Sequence, residues 1–171
     1  MRLARALVQL RTPANKRLNR LLVLARQCSS TSGDNDFHLA YVTVEALNTW
    51  SEFCRYYYLS YPLRPKTVGG VRLSISHPGV ATSHDALREL VLKIKKHAPP
   101  GTISRFHEPK WYDPNTLITG ATLLNASNLP SVHAALSTGS PVFGALFRFR
   151  HFFAHRNAHT ASLALSQAPM L

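Results

Sequence analysis

The chain has 171 residues with 45% apolar and 16% charged side chains, enough for one packed core and unlike a disordered polypeptide. Its net charge of +12 is the strongest compositional signal and points to polyanionic partners, for which RNA, DNA and anionic lipid all qualify. The eight acids are Asp34, Asp36, Glu45, Glu52, Asp85, Glu89, Glu108 and Asp113, so the last third of the chain carries none.

Residues 1–33 hold seven basic side chains (Arg2, Arg5, Arg11, Lys16, Arg17, Arg20 and Arg26) and no acid. Two readings stay open. Thr12-Pro13 offers a capping hydroxyl and a proline at the first helical position, and Leu18, Leu21, Leu22 and Ala25 recur at helical spacing. This predicts a docked helix to about Gln27, with Leu18, Leu21 and Leu22 buried and Arg17 and Arg20 exposed. The same composition, ending in CSSTSG, also suits a removable presequence over residues 1–30. The first reading implies a cytoplasmic protein, the second a mitochondrial matrix one. Cys28 and Cys54 lack metal-ligand spacing and lie in apolar helical patterns, which predicts reduced, part-buried thiols. No apolar run is long enough to cross a bilayer, and no membrane partner is expected.

A second helix is expected over residues 37–59, where Leu39, Val42, Ala46, Leu47, Trp50, Phe53 and Cys54 recur every three or four positions. Pro62, Pro65 and Gly69-Gly70 end it and open a long connection, in which VRLSIS (71–76) alternates like a short strand. Thr82-Ser83 then caps DALRELVLKIKK, whose Leu87, Leu90, Val91 and Ile94 form one apolar stripe. Residues 97–101 stop that helix, and 102–113 reads as a loop anchored by Trp111. Shorter helices are expected over 115–125 and 130–136. Ser140-Pro141 repeats the cap-plus-proline start, launching a helix through Val142, Leu146, Phe149 and Phe153 to about His159 or beyond. The prediction is a single all-α domain over 1–171, an up-and-down bundle with one long internal loop excursion.

That last helix carries RFRHFFAHRN, three arginines and two histidines around three phenylalanines. At about 100° per residue, Arg148, His151, His155 and His159 share one face, while Phe149 and Phe153 form a neighbouring face that can enter the core. Arg150 points about 140° away from His155. The HxxxHxxxH spacing lacks an acidic ligand or an HExxH glutamate, so no metal is expected. Nucleophile elbows, phosphate-cradling glycine loops and dinucleotide fingerprints are absent from the sequence, and no cofactor is expected.

Arg150-His151-Phe152-Phe153-Ala154-His155 resembles the R-x4-6-H signature of the HEPN superfamily, in which a polar residue commonly follows the arginine; here that residue is His151. Arg148, with six residues between it and His155, offers a second register, but the four-residue register from Arg150 is the better match. The resemblance covers residues 37–165. It implies a compact helical bundle that homodimerises to bring two motifs together. It also implies a metal-independent endoribonuclease, of a kind often found as a toxin or defence effector, although some members have lost catalysis and only bind nucleic acid or a partner protein. On that basis Arg150, His151 and His155 are the candidate catalytic residues, and Arg148, Arg156 and His159 the candidate RNA contacts. Proton transfer suits histidine, and charge stabilisation on a phosphorane suits the planar arginine fork. Some members encoded beside a nucleotidyltransferase carry a tyrosine two residues after the histidine. Asn157 stands there in this chain, so regulation at that tyrosine is not implied and a paired antitoxin protein stays an open question.

Overall fold

The computed structural model describes residues 3–30, 36–96, 103–137, 141–155 and 158–166. Every regular element among them is helical: α1 (Val8–Ser30), α2 (Asp36–Ser60), α3 (Ser83–Lys95), α4 (Pro114–Leu123), α5 (Leu129–Leu136), α6 (Pro141–His155) and α7 (Ala158–Leu165). Short 3-10 turns lie at Tyr61–Leu63 and Arg105–His107. The all-α expectation holds. The chain divides into two compact units, residues 1–14 with 51–139 and residues 15–50 with 140–171.

In the first unit the chain enters by pairing its backbone with residue 66. Leu7 N–H donates to the Lys66 carbonyl at 2.8 Å, Lys66 N–H to the Arg5 carbonyl at 2.9 Å, and Ala4 N–H to Ser60 Oγ at 3.0 Å. This anchoring explains why α1 starts at Val8 and not at Thr12. The Thr-Pro start signal is overridden, and Pro13 lies inside the helix. A proline there removes one i→i−4 hydrogen bond, a cost met by burying Ala4, Leu10 and Ala14.

The core of this unit forms around Tyr58, which is fully buried on α2. Its hydroxyl donates to the Ala86 carbonyl at 2.7 Å, and its ring packs against those of Tyr61 and Trp111 at centroid distances of 6.2 and 5.6 Å. Tyr61 donates to Asn128 Oδ1, whose amide in turn donates to the Tyr57 hydroxyl. Leu87, Leu90 and Val91 of α3 are buried as the stripe predicted, whereas Ile94, near the helix end, is 40% exposed. Thr82 caps α3 through a full capping box: its side chain accepts from Asp85 N–H while Asp85 accepts from Thr82 N–H. The expected stop at 97–101 and the Ser140 cap lie outside the described residues.

Residues 71–76 form no strand. Single bridges link Ala6 to Lys66 and Lys66 to Arg72, too few for a ladder. Ser74 and Ser76 instead bond to the turn after α4: Ser127 N–H donates to the Ser74 carbonyl at 2.9 Å and Ser76 N–H to the Leu124 carbonyl at 3.1 Å. Alternation in a short run has no meaning without a neighbouring strand to pair it.

Gly120 of α4 lies directly against the Tyr58 ring of α2. A Cβ at that position would stand 2.6 Å from Tyr58 Cε2 and 2.8 Å from Cδ2. Tyr58 is fully buried and held by its hydroxyl, so Gly120→Ala should destabilise the fold by about 1–3 kcal/mol despite the better helix propensity of alanine. Urea denaturation checks this; a gain in stability would show that the ring can shift.

The second unit contains the later turns of α1, the first half of α2, and α6 and α7. Leu21, Cys28, Leu47, Thr49, Ala145, Thr160 and Ala164 are buried in it. Arg17 pairs with Glu45, and Trp50 stacks on Phe143 at 4.6 Å. Only part of the α1 expectation survives: Leu21 is buried and Arg17 and Arg20 are exposed, but Leu18 and Leu22 are 36% and 49% exposed. The buried stripe runs through Leu10, Ala14, Leu21 and Cys28, rotated by about 50–60° from the face the leucines suggested and sharing Leu21 with it. Cys28 and Cys54 are buried and not joined in a disulfide, and burial pushes the Cys54 thiol well above its ordinary range.

Candidate functional site

The basic segment divides between two helices. Arg148 Nη1 donates to Ser166 Oγ at 3.3 Å, a pair eighteen positions apart. A continuous helix would hold them about 27 Å apart, so α7 runs back along α6. This corrects the expectation of one helix through His159. His159 is exposed on α7 and is not the next turn of the His151–His155 face. Arg156 and Asn157 lie outside the described residues.

What remains on α6 is compact. His151 and His155, four residues apart, bring their rings to 4.5 Å in an edge-on arrangement with a 64° interplanar angle. Phe147, one turn earlier, stacks on His151 at 6.1 Å. Both histidines are exposed, whereas Phe149 and Phe153 are half-buried. An aromatic row thus holds two imidazoles at the surface of a helix whose own residues include no acid.

Arg150 is exposed and turns the other way. It lines a groove of about 350 Å³ with Phe153 and Ala154 of α6 and Ala40, Tyr41 and Val44 of α2. His155 is not part of that lining. The structure therefore brings His151 to His155 and leaves Arg150 on a different aspect of the same helix, as the 140° offset requires. Arg148 is committed in part to Ser166. Among the described residues no three His, Cys, Asp or Glu side chains gather where a metal ion could be held. No described helix is long and apolar enough to cross a membrane.

Two features escaped the sequence. The groove is one: its α2 side is read from Ala40, Tyr41 and Val44, which the helical pattern treats as ordinary face positions. The other is a buried carboxylate. Glu108 accepts from Arg55 Nε at 2.6 Å and Nη2 at 2.7 Å, and from Trp111 Nε1 at 2.7 Å. Arg105 adds a longer contact at 3.6 Å. Burial pushes the Glu108 carboxyl up, but the Arg55 and Trp111 hydrogen bonds and the two guanidinium charges outweigh it and hold it below the usual carboxylate range. The hydrogen bonds to Glu108, with its charge, in turn raise the Arg55 guanidinium above its ordinary value against the opposing effect of burial. Held by three hydrogen bonds and two guanidinium charges, Glu108 ties the 103–113 loop to α2 as a structural carboxylate. Trp111 anchors the loop as expected. Comparison of the chain with protein-family models, curated proteins and solved structures gives no match.

Proposed function

We propose that the chain is a HEPN-type, metal-independent endoribonuclease that works as a homodimer. One observation carries this reading: an exposed His151–His155 pair, rings 4.5 Å apart, shares α6 with an exposed arginine in the R-x4-H register. RNA supplies its own nucleophile, the 2′-hydroxyl next to the scissile phosphate. As that oxygen bonds to phosphorus, the P–O5′ bond breaks and water protonates the leaving 5′-oxygen. His155 accepts the hydroxyl proton, His151 orients or polarises the pair, and Arg150 stabilises charge on the phosphorane. DNA lacks the hydroxyl and should remain intact. Arg148, Arg156 and His159 are the proposed contacts to flanking phosphates, with Arg148 also held by Ser166.

Arg150 and His155 diverge on one helix, so a cleft containing both needs α6 of a second copy. Light scattering should give the mass of a dimer, and an active monomer would contradict this arrangement. The decisive experiment is incubation of purified protein with RNA in EDTA. Cleavage of RNA but not of DNA supports the proposal. A second reading, a non-catalytic module that binds nucleic acid or a partner protein, draws on the position of Arg150 in the α2–α6 groove, away from the histidines. Binding without cleavage would select it.

A further inference from the structure

We infer that the groove between α2 and α6 is a nucleotide subsite, in which a base of single-stranded RNA stacks on Tyr41 while Arg150 holds the adjoining phosphate. This deepens the ribonuclease proposal and rests on it for the identity of the strand. The lining has the composition such a ligand requires. Tyr41, 55% exposed, and the half-buried Phe153 supply two aromatic surfaces, and Ala40 and Ala154 are small enough to leave room for a flat ring. Val44 completes an apolar wall. The single charged group is Arg150, and no carboxylate lines the groove to repel a phosphate. A volume of about 350 Å³ lies at the small end of ligand sites, the scale of one nucleotide.

The residues on each helix fall one turn apart, 40, 41 and 44 on α2 and 150, 153 and 154 on α6, so both helices present a continuous strip to the groove. Apart from the Tyr41 hydroxyl and the Arg150 guanidinium, the lining side chains cannot hydrogen-bond a base edge. Stacking without edge recognition is tolerant of sequence. The subsite would therefore grip any base and contribute affinity, not selectivity. It also gives Arg150 two neighbours on the substrate: the phosphate it stabilises and the base beside that phosphate.

The test uses the full chain and two 2′-O-methyl hexanucleotides, one of adenosine and one abasic throughout, neither of which can be cleaved through the 2′-hydroxyl. Wild type should bind the base-bearing strand about 5- to 150-fold more tightly than the abasic one. Tyr41→Ala should lose most of that ratio with little change toward the abasic strand, and Tyr41→Phe should keep it. Ala40→Leu, which adds bulk to the groove while keeping the Tyr41 ring, should lower it as well. An unchanged ratio in both Tyr41→Ala and Ala40→Leu overturns the subsite, as does a wild type that binds both strands equally or neither. Cleavage of ordinary RNA, followed in parallel, separates the two proposals. A Tyr41-dependent ratio without cleavage removes catalysis alone, and cleavage with a Tyr41-independent ratio removes the subsite alone.

Discussion

Glu108→Gln should cost the protein about 3–5 kcal/mol, towards the lower end of that range. The substitution keeps the shape of the side chain and one acceptor oxygen, but it removes the charge that two Arg55 nitrogens and the Trp111 indole share. Arg55 is left as a largely buried cation, its side chain 16% exposed, with an amide where its carboxylate stood. The loss should also depend on pH. A carboxyl held below its unfolded value of about 4.3 adds stability above that value, and the addition disappears as pH falls through the lower folded value. Denaturation curves should therefore separate wild type from Glu108→Gln fully at neutral pH and draw together below about pH 4. Equal separation across that range would mean that the loss comes from the mismatched amide hydrogen bonds and that the charge contributes nothing.

His155→Ala should reduce RNA cleavage by about 100- to 10,000-fold, the usual worth of a positioned proton-transfer group. Arg150→Ala should cause a loss of similar order through uncompensated charge on the phosphorane. Both side chains are exposed, so melting temperatures should barely move. His155→Ala should keep its affinity for RNA, since the arginines provide the attraction. Arg156→Ala should instead weaken binding and flatten its salt dependence. Phe153→Ala serves as the structural control: with its ring half-buried, it should destabilise by less than the roughly 3–5 kcal/mol of a fully buried phenylalanine. Normal cleavage by His155→Ala would reduce α6 to a basic scaffold.

The parts of this fold that could be read in advance are those decided within one helical turn. Thr82 and Asp85 are three residues apart, and their capping box set the start of α3. The 37–59 periodicity gave α2 within a residue at each end. Signals of equal local strength failed where distant contacts competed. Thr12-Pro13 lost to the pairing of residues 4–7 with 60 and 66, and VRLSIS lost to the turn after α4. The return of α7 along α6 had no proline or glycine to announce it. The groove and the Arg55–Glu108 pair, 53 positions apart, exist only once helices have packed. At the candidate site, side-chain order along α6 was legible, including the offset of Arg150 from His155; the separation of His159 from its apparent neighbours was not.

The division of the chain has a consequence for its synthesis. Residues 1–14 and 51–139 make one unit, while the other needs residues 15–50 and 140–171. A nascent chain reaching residue 139 already holds every segment of the first unit, but only the earlier of the two segments of the second. At about 5–20 residues per second, α6 and α7 follow within seconds. Until then Leu21, Cys28 and Leu47 await the helices that share their unit, while Tyr58 and its neighbours already have all of theirs. A nascent chain that has reached only residue 139 holds none of the arginines and histidines of α6, so it cannot carry the candidate site.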